Sequence, residues 1–148
     1  MRLTTFVPLC IAVALLVSLP SSGAEPAPRY EIQPDLKTYP QSTPKDTLGS
    51  LIKALDNKKV DYLLAQLSDP EWVDAQVKKL DGKFARVVEE ATTQLTPVAL
   101  ERFKRFQKLG KWTLKDDRAV ATYKLLPSRV VRMKKIGGRW YLLNDYTP

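Results

Sequence analysis

The chain has 148 residues, 44% hydrophobic and 27% charged, with a formal net charge of +8, which is enough for one globular domain and too little for two of usual size. It contains no histidine and a single cysteine, Cys10. Histidine-based triads, the usual zinc sites, thiol redox pairs and a disulfide framework are excluded together, so no cofactor and no metal is expected.

The first two dozen residues have the three parts of a secretory signal. Arg2 supplies the positive start, Leu9–Leu19 an apolar core, and Ser22-Gly23-Ala24 the small residues of a cut after Ala24. The competing reading is an uncleaved anchor, but the apolar run falls short of the ~20 residues a bilayer span needs. Cys10 sits inside that run, where no lipobox surrounds it. Residues 1–24 are therefore expected to be a signal peptide, and the product periplasmic or extracellular. Maturation removes Cys10 and leaves 23 basic and 16 acidic residues, a charge of +7. No second hydrophobic run follows, so no transmembrane span is expected after cleavage.

Residues 25–44 hold five prolines and no periodic apolar pattern. Proline fixes φ and removes a donor, which predicts that residues 25–42 form an extended or disordered tether. The other reading is that Tyr30, Ile32 and Leu36 lay a short strand on the domain. The folded body is expected to span 43–148.

Helix signals then come in order. Thr43 can cap, Pro44 fits the first helical position, and Asp46 stands where a capping-box acid would. Leu48, Leu51, Ile52 and Leu55 make an apolar stripe, which Asp56-Asn57-Lys58-Lys59 ends. A short second helix carries Val60, Leu63, Leu64 and Leu67. Asp69-Pro70-Glu71 starts a third, whose apolar steps run through Val73, Val77, Leu80, Phe84, Val87, Val88 and Ala91. Gly82 interrupts them at a cost of ~1 kcal/mol in a helix interior, so this is one long helix or two that nearly abut. Thr96-Pro97 opens the last helix, which turns Leu100, Phe103 and Phe106 inward and ends at Gly110, a good C′ residue.

The remainder alternates with period two. Lys111–Lys115, Ala119–Leu125, Arg129–Ile136 and Arg139–Tyr146 are predicted strands. They are joined by Asp116-Asp117-Arg118, by Leu126-Pro127-Ser128, and by Gly137-Gly138, a strong hairpin signal. Short joins make neighbours antiparallel. The predicted class is α+β: N-terminal helices packed on a C-terminal four-strand antiparallel meander.

This order of parts resembles the NTF2-like superfamily, which includes ketosteroid isomerase and SnoaL-type cyclases. The resemblance rests on TPKDTLGSLIKALDNKK in the first helix, on the acid-flanked second helix, and on the closing hairpin VVRMKKIGGRWYLLND. The chain is also similar in layout to small exported bacterial proteins of unassigned function. The superfamily implies a cone of helices on a curved sheet, often around an apolar pocket, and a homodimer through the open sheet face. Its isomerases and cyclases use a pocket acid with a tyrosine or histidine partner. The chain lacks histidine and has no motif that places such an acid, so catalysis is not carried over.

Charge is the most unusual feature. Glu101–Arg139 holds thirteen basic residues and three acids, whereas the rest of the mature chain is net negative. Lys104, Arg105, Lys108, Arg129, Lys134 and Lys135 are candidates for a basic surface facing an anionic lipid, an acidic polymer or an acidic protein; the bland reading is a solvated face partly docked by acids of earlier helices. Export makes nucleic acid an unexpected natural partner. Strand three carries bases on both faces, so alternation does not say whether Val131 and Met133 or Val130 and Ile136 meet the core. Trp112, Tyr123 and Trp140 are candidate walls of a ligand pocket with Arg132 at its rim, against the commoner role of strand aromatics as core. Trp72 and Tyr141 are further aromatics. Asp116-Asp117 forms a turn more readily than a cation site.

Two function classes follow, with a third beside them. The leading one is an exported non-catalytic domain that binds a ligand or anionic partner through a sheet concavity or its basic surface. The second is a small isomerase or cyclase with Asp145 as general base and Tyr123 beside it. The third is a structural envelope component spaced by its tether.

Overall fold

The computed structural model describes residues 27–144; the expected leader and Asp145 lie outside the described residues. Five helices come first: α1 (Pro44–Asp56), α2 (Val60–Tyr62), α3 (Pro70–Lys79), α4 (Phe84–Gln94) and α5 (Pro97–Leu109). α2 runs directly into a π-helical turn, Leu63–Leu67. Strands β1 (Lys111–Lys115), β2 (Arg118–Thr122), β3 (Val130–Ile136) and β4 (Arg139–Leu142) then form one antiparallel sheet in the order β1-β2-β3-β4. The α+β layout and the meander are as the sequence predicts.

The helix starts obey their caps. Thr43 Oγ1 accepts from the Asp46 N–H at 3.0 Å with Pro44 at the first position. Asp69 and Thr96 cap α3 and α5 in the same manner, each followed by proline. The break between α3 and α4 is real: Asp81 and Gly82 both take positive φ, at 55° and 76°. Gly110 departs from the expectation. Its φ is −68°, so glycine is not required there for a left-handed turn. A Cβ would instead stand 2.5 Å from the Phe106 carbonyl oxygen, so α5 passes into β1 with no room for a side chain. Gly137 and Gly138 do use positive φ, as the hairpin demands.

The register settles which sheet face meets the helices. Trp112, Ala121 and Val131 stand opposite one another, as do Leu114, Ala119, Met133 and Leu142. Ala119, Ala121, Val131, Met133, Trp140 and Leu142 are buried, so this is the inner face. They pack with Leu48, Leu51 and Ala54 of α1, Leu63, Leu64 and Leu67 of the π-turn, and Phe103 and Phe106 of α5. β2 is shorter than predicted. The chain leaves the sheet at Tyr123, whose carbonyl accepts from the Leu126 N–H at 2.9 Å, and a second turn follows in which Leu126 accepts from Arg129 at 3.0 Å. The described part of the last strand ends at Leu142.

The largest departure concerns the predicted tether. Residues 29–42 lie along the body instead of leading away from it. Tyr30 stacks on Phe84 with ring centroids 4.1 Å apart, and Arg29 bonds the Asp74 carboxylate. The Asp35 N–H donates to the Tyr62 hydroxyl at 2.9 Å, and Tyr39, 7% exposed, packs on Tyr62. Prolines here fix an extended path, and the side chains between them anchor it. No strand forms across the domain; Arg29 and Ile32 pair only with each other around Tyr30-Glu31. We call this segment the strap.

Candidate functional site

Three hollows ring the joint between α4 and α5. The largest of the three, about 770 Å³, lies between α1 and the α4–α5 joint and is lined by Leu55, Val60, Val88, Leu95, Pro97 and Leu100 with Lys58, Lys59 and Asp61 at its margin. A shallow one of about 380 Å³ lies between α5 and the β2–β3 loop. The third, about 320 Å³, is more enclosed and is the one that reaches from helices to sheet: Leu51, Leu64, Trp72, Leu95, Phe103 and Leu142 wall it. Arg102, half-buried, is the ionisable side chain among its described lining residues, and Asn144 lies beside Leu142 at its sheet end. Among the described residues the Asn144 Nδ2 is buried and finds no hydrogen-bond partner. Buried polar groups are nearly always paired, so an unmet amide in an apolar hollow marks a place for a polar atom.

A local irregularity forms one wall of this hollow. In the run LLAQL the backbone widens to a π-turn, with the Ser68 N–H returning to the Leu63 carbonyl at 2.9 Å. The wider turn buries all five residues, Gln66 included, and presents Leu63 and Leu64 to the hollow. π-turns of this kind recur at functional sites.

The far side of the turn holds a polar clamp. Gln66 and Gln41 are 1% and 3% exposed. Arg139 donates to the Gln41 Oε1 from Nε at 3.1 Å and again from Nη2, and Nη2 also reaches the Gln66 Oε1 at 3.2 Å and the Gln66 carbonyl at 3.3 Å. Gln41 Nε2 donates to the Gln66 carbonyl at 3.0 Å and to the Trp140 carbonyl at 2.8 Å, while the Trp140 N–H returns to the Gln41 carbonyl at 3.1 Å. One residue of the strap thereby satisfies both backbone groups of Trp140 on the free edge of β4. The Asp69 N–H meets the Leu142 carbonyl on the same edge at 2.8 Å. An edge that would otherwise invite another strand is covered.

The residues singled out from sequence are dispersed. Trp140 is buried in the core, with the Lys135 ammonium 5.9 Å from its ring centre. Trp112 and Tyr123 are half-buried against the core, Tyr123 edge-on to Phe106 at 6.2 Å. Arg132 is exposed on the outer sheet face. None of these four lines the three hollows. Among the basic candidates, Lys104 is held 3.1 Å from Asp56 of α1 and 3.5 Å from Glu101, and its hydrogen bond to Asp56 raises its pKa above the ordinary lysine value. Lys134 pairs with Glu71 at 3.3 Å. Arg105, Lys108, Arg129 and Lys135 are exposed. On the outer face Lys115, Arg118 and Lys134 stand directly opposite one another across three strands, an unfavourable arrangement that Glu71 partly offsets.

Arg102, Asn144 and the Arg139 clamp were not singled out from the sequence. A lone glutamine inside LLAQL was a usable signal for a buried polar contact; Gln41, in a proline-rich stretch, gave none. Comparison with protein-family models, with curated proteins and with solved structures found no match.

Proposed function

We propose that the protein is an exported, non-catalytic binder of a small amphiphilic carboxylic acid. The apolar part of the ligand fills the hollow between the π-turn, α4, α5 and β4, and its carboxylate meets Arg102 and the Asn144 amide. The observation that carries this reading is the pairing of apolar walls with one guanidinium and one unmet buried amide. A volume of about 320 Å³ is at the lower end of the roughly 300–1,000 Å³ common for small-molecule sites. Export rests on the leader pattern of residues 1–24. Kinship with the NTF2-like superfamily is kept as part of the proposal, supported by the element order and by a hollow between helices and sheet.

The test is thermal stabilisation by straight-chain acids from octanoate to dodecanoate, each beside the alcohol of equal length. Binding to the native state alone raises stability with ligand concentration. The acids are expected to raise the melting temperature more than the alcohols, and Arg102→Met to abolish that difference. Ala99→Leu, which fills the hollow, is expected to abolish stabilisation by both. Equal response to acids and alcohols in the parent protein, or none to either, refutes the reading.

A further inference from the structure

We propose that the end of the molecule made by the start of α5 and the β2–β3 loop docks on an anionic phospholipid bilayer. Leu125 and Val98 are the most exposed large apolar side chains of the described residues, at 74% and 67%. They belong to one place: Leu126, the neighbour of Leu125, lines the same shallow hollow as Pro97 and Val98. The double turn from Tyr123 to Arg129 projects Leu125 away from the core while Leu126 stays folded against α5. An isolated exposed apolar side chain needs no explanation, but two at one tip around an apolar hollow form a patch.

Cations surround this patch. Lys124 and Arg129 flank the loop and are exposed, while Arg102 and Arg105 line the hollow from α5. Glu101 is the acid on its rim, and it is 3.5 Å from the Lys104 ammonium. An apolar centre inside a ring of long basic side chains is the arrangement that enters a bilayer interface: the aliphatic groups reach the acyl boundary and the cations stay at the phosphates. A soluble polyanion would draw on the same cations but gives no role to Leu125 or Val98. The proposal stands apart from the acid-binding reading, since the membrane test uses no free acid.

The protein beginning at Glu25 contains every described residue and lacks the apolar leader, which would bind vesicles on its own. It is sedimented with vesicles of phosphatidylcholine alone and with one-third phosphatidylglycerol, and titrated separately with heparin. Partitioning is expected on the anionic vesicles and to weaken with salt. The double variant Val98→Ser/Leu125→Ser is expected to lose about tenfold or more of it, and Lys124→Gln/Arg129→Gln about thirtyfold, at about one cation's worth each. Leu114→Ser/Arg118→Gln alters an exposed leucine and an exposed arginine at the opposite end of β2 and is expected to lose much less. Partitioning that is insensitive to Val98→Ser/Leu125→Ser, or equally sensitive to the control pair, overturns the proposal. So does tight heparin binding by all variants with no partitioning on anionic vesicles, which would assign the cations to a polyanion.

Discussion

Replacing Arg139 by methionine keeps the aliphatic stem and removes only the guanidinium, so it isolates the clamp that joins the strap to β4. The guanidinium serves the Gln41 Oε1, the Gln66 Oε1 and the Gln66 carbonyl. The carbonyl keeps its bond from Gln41 Nε2, so two acceptors lose their donor, on side chains 3% and 1% exposed. A buried polar group left unpaired costs about 1–3 kcal/mol. Allowing for some rearrangement of the two amides, the loss is about 2–4 kcal/mol, a large part of the roughly 5–15 kcal/mol that holds a domain folded. At ~4 °C per kcal/mol for a domain of this size, Arg139→Met lowers the melting temperature by about 8–16 °C. Arg139→Lys, with donors but no fork, falls about midway. Limited proteolysis is the second readout: with Gln41 loosened, cleavage within residues 29–42 is expected to precede cleavage of the body. A melting temperature for Arg139→Met within ~2 °C of the parent, with the strap still protected, would refute the argument that these buried acceptors depend on Arg139.

Three further changes probe the physics of particular positions. Gly110→Ala puts a methyl group 2.5 Å from the Phe106 carbonyl in an ordinary backbone conformation; thermal melts are expected to show an overpacking cost of about 1–3 kcal/mol, and an unchanged melt sinks that account. Glu31→Gly relieves a non-glycine residue at φ 64° and is expected to stabilise by about 0.5–1 kcal/mol; destabilisation would show that the turn carries no such strain. Asp46 has its carboxyl held below the usual range by its hydrogen bonds with Thr43 and then Ser42, so its stabilisation is fully present above the unfolded value of ~3.9 and is lost as pH falls through the folded value. The melting-temperature gap between the parent and Asp46→Asn is therefore expected to narrow as pH falls below about 5 and to close once pH is below the folded value, and a gap that does not narrow on acidification contradicts the assignment.

The helices and hairpins were legible because their signals are local. Thr43-Pro44, Asp69-Pro70 and Thr96-Pro97 each set one backbone angle and one capping bond, and Gly137-Gly138 sets a turn, without help from the rest of the chain. The strap was not legible, because its order comes from partners far away in sequence: Tyr30 on Phe84, Arg29 on Asp74, Gln41 on Trp140. Its prolines restrict the unfolded chain as well as the folded one, and so do not by themselves distinguish a tether from a docked segment. The inner face of β3 was undecided for a related reason. Bases alternate with apolar residues on both faces, and only the register with Ala119 and Ala121 places Val131 and Met133 inside. Basic residues clustered in sequence were also separated in space, since Lys104 and Lys134 are drawn to acids of earlier helices.

β4 links these features. Its Trp140 and Leu142 face the core, its free edge is closed by Gln41 and Asp69, and Leu142 also forms part of the wall of the hollow beside Phe103. The π-turn touches both sides of this arrangement, giving Leu63 and Leu64 to the hollow and Gln66 to the clamp. A π-turn is one residue wider than an α-turn, and here residues of a single turn serve a cavity and a polar lock at once. Packed elements shift between discrete arrangements more readily than they deform, so loosening the lock moves the wall. Arg139→Met should therefore weaken stabilisation by long-chain acids although Arg139 lines no part of the hollow, whereas Gly110→Ala, which disturbs the other end of the sheet, should lower stability and leave the ligand response intact.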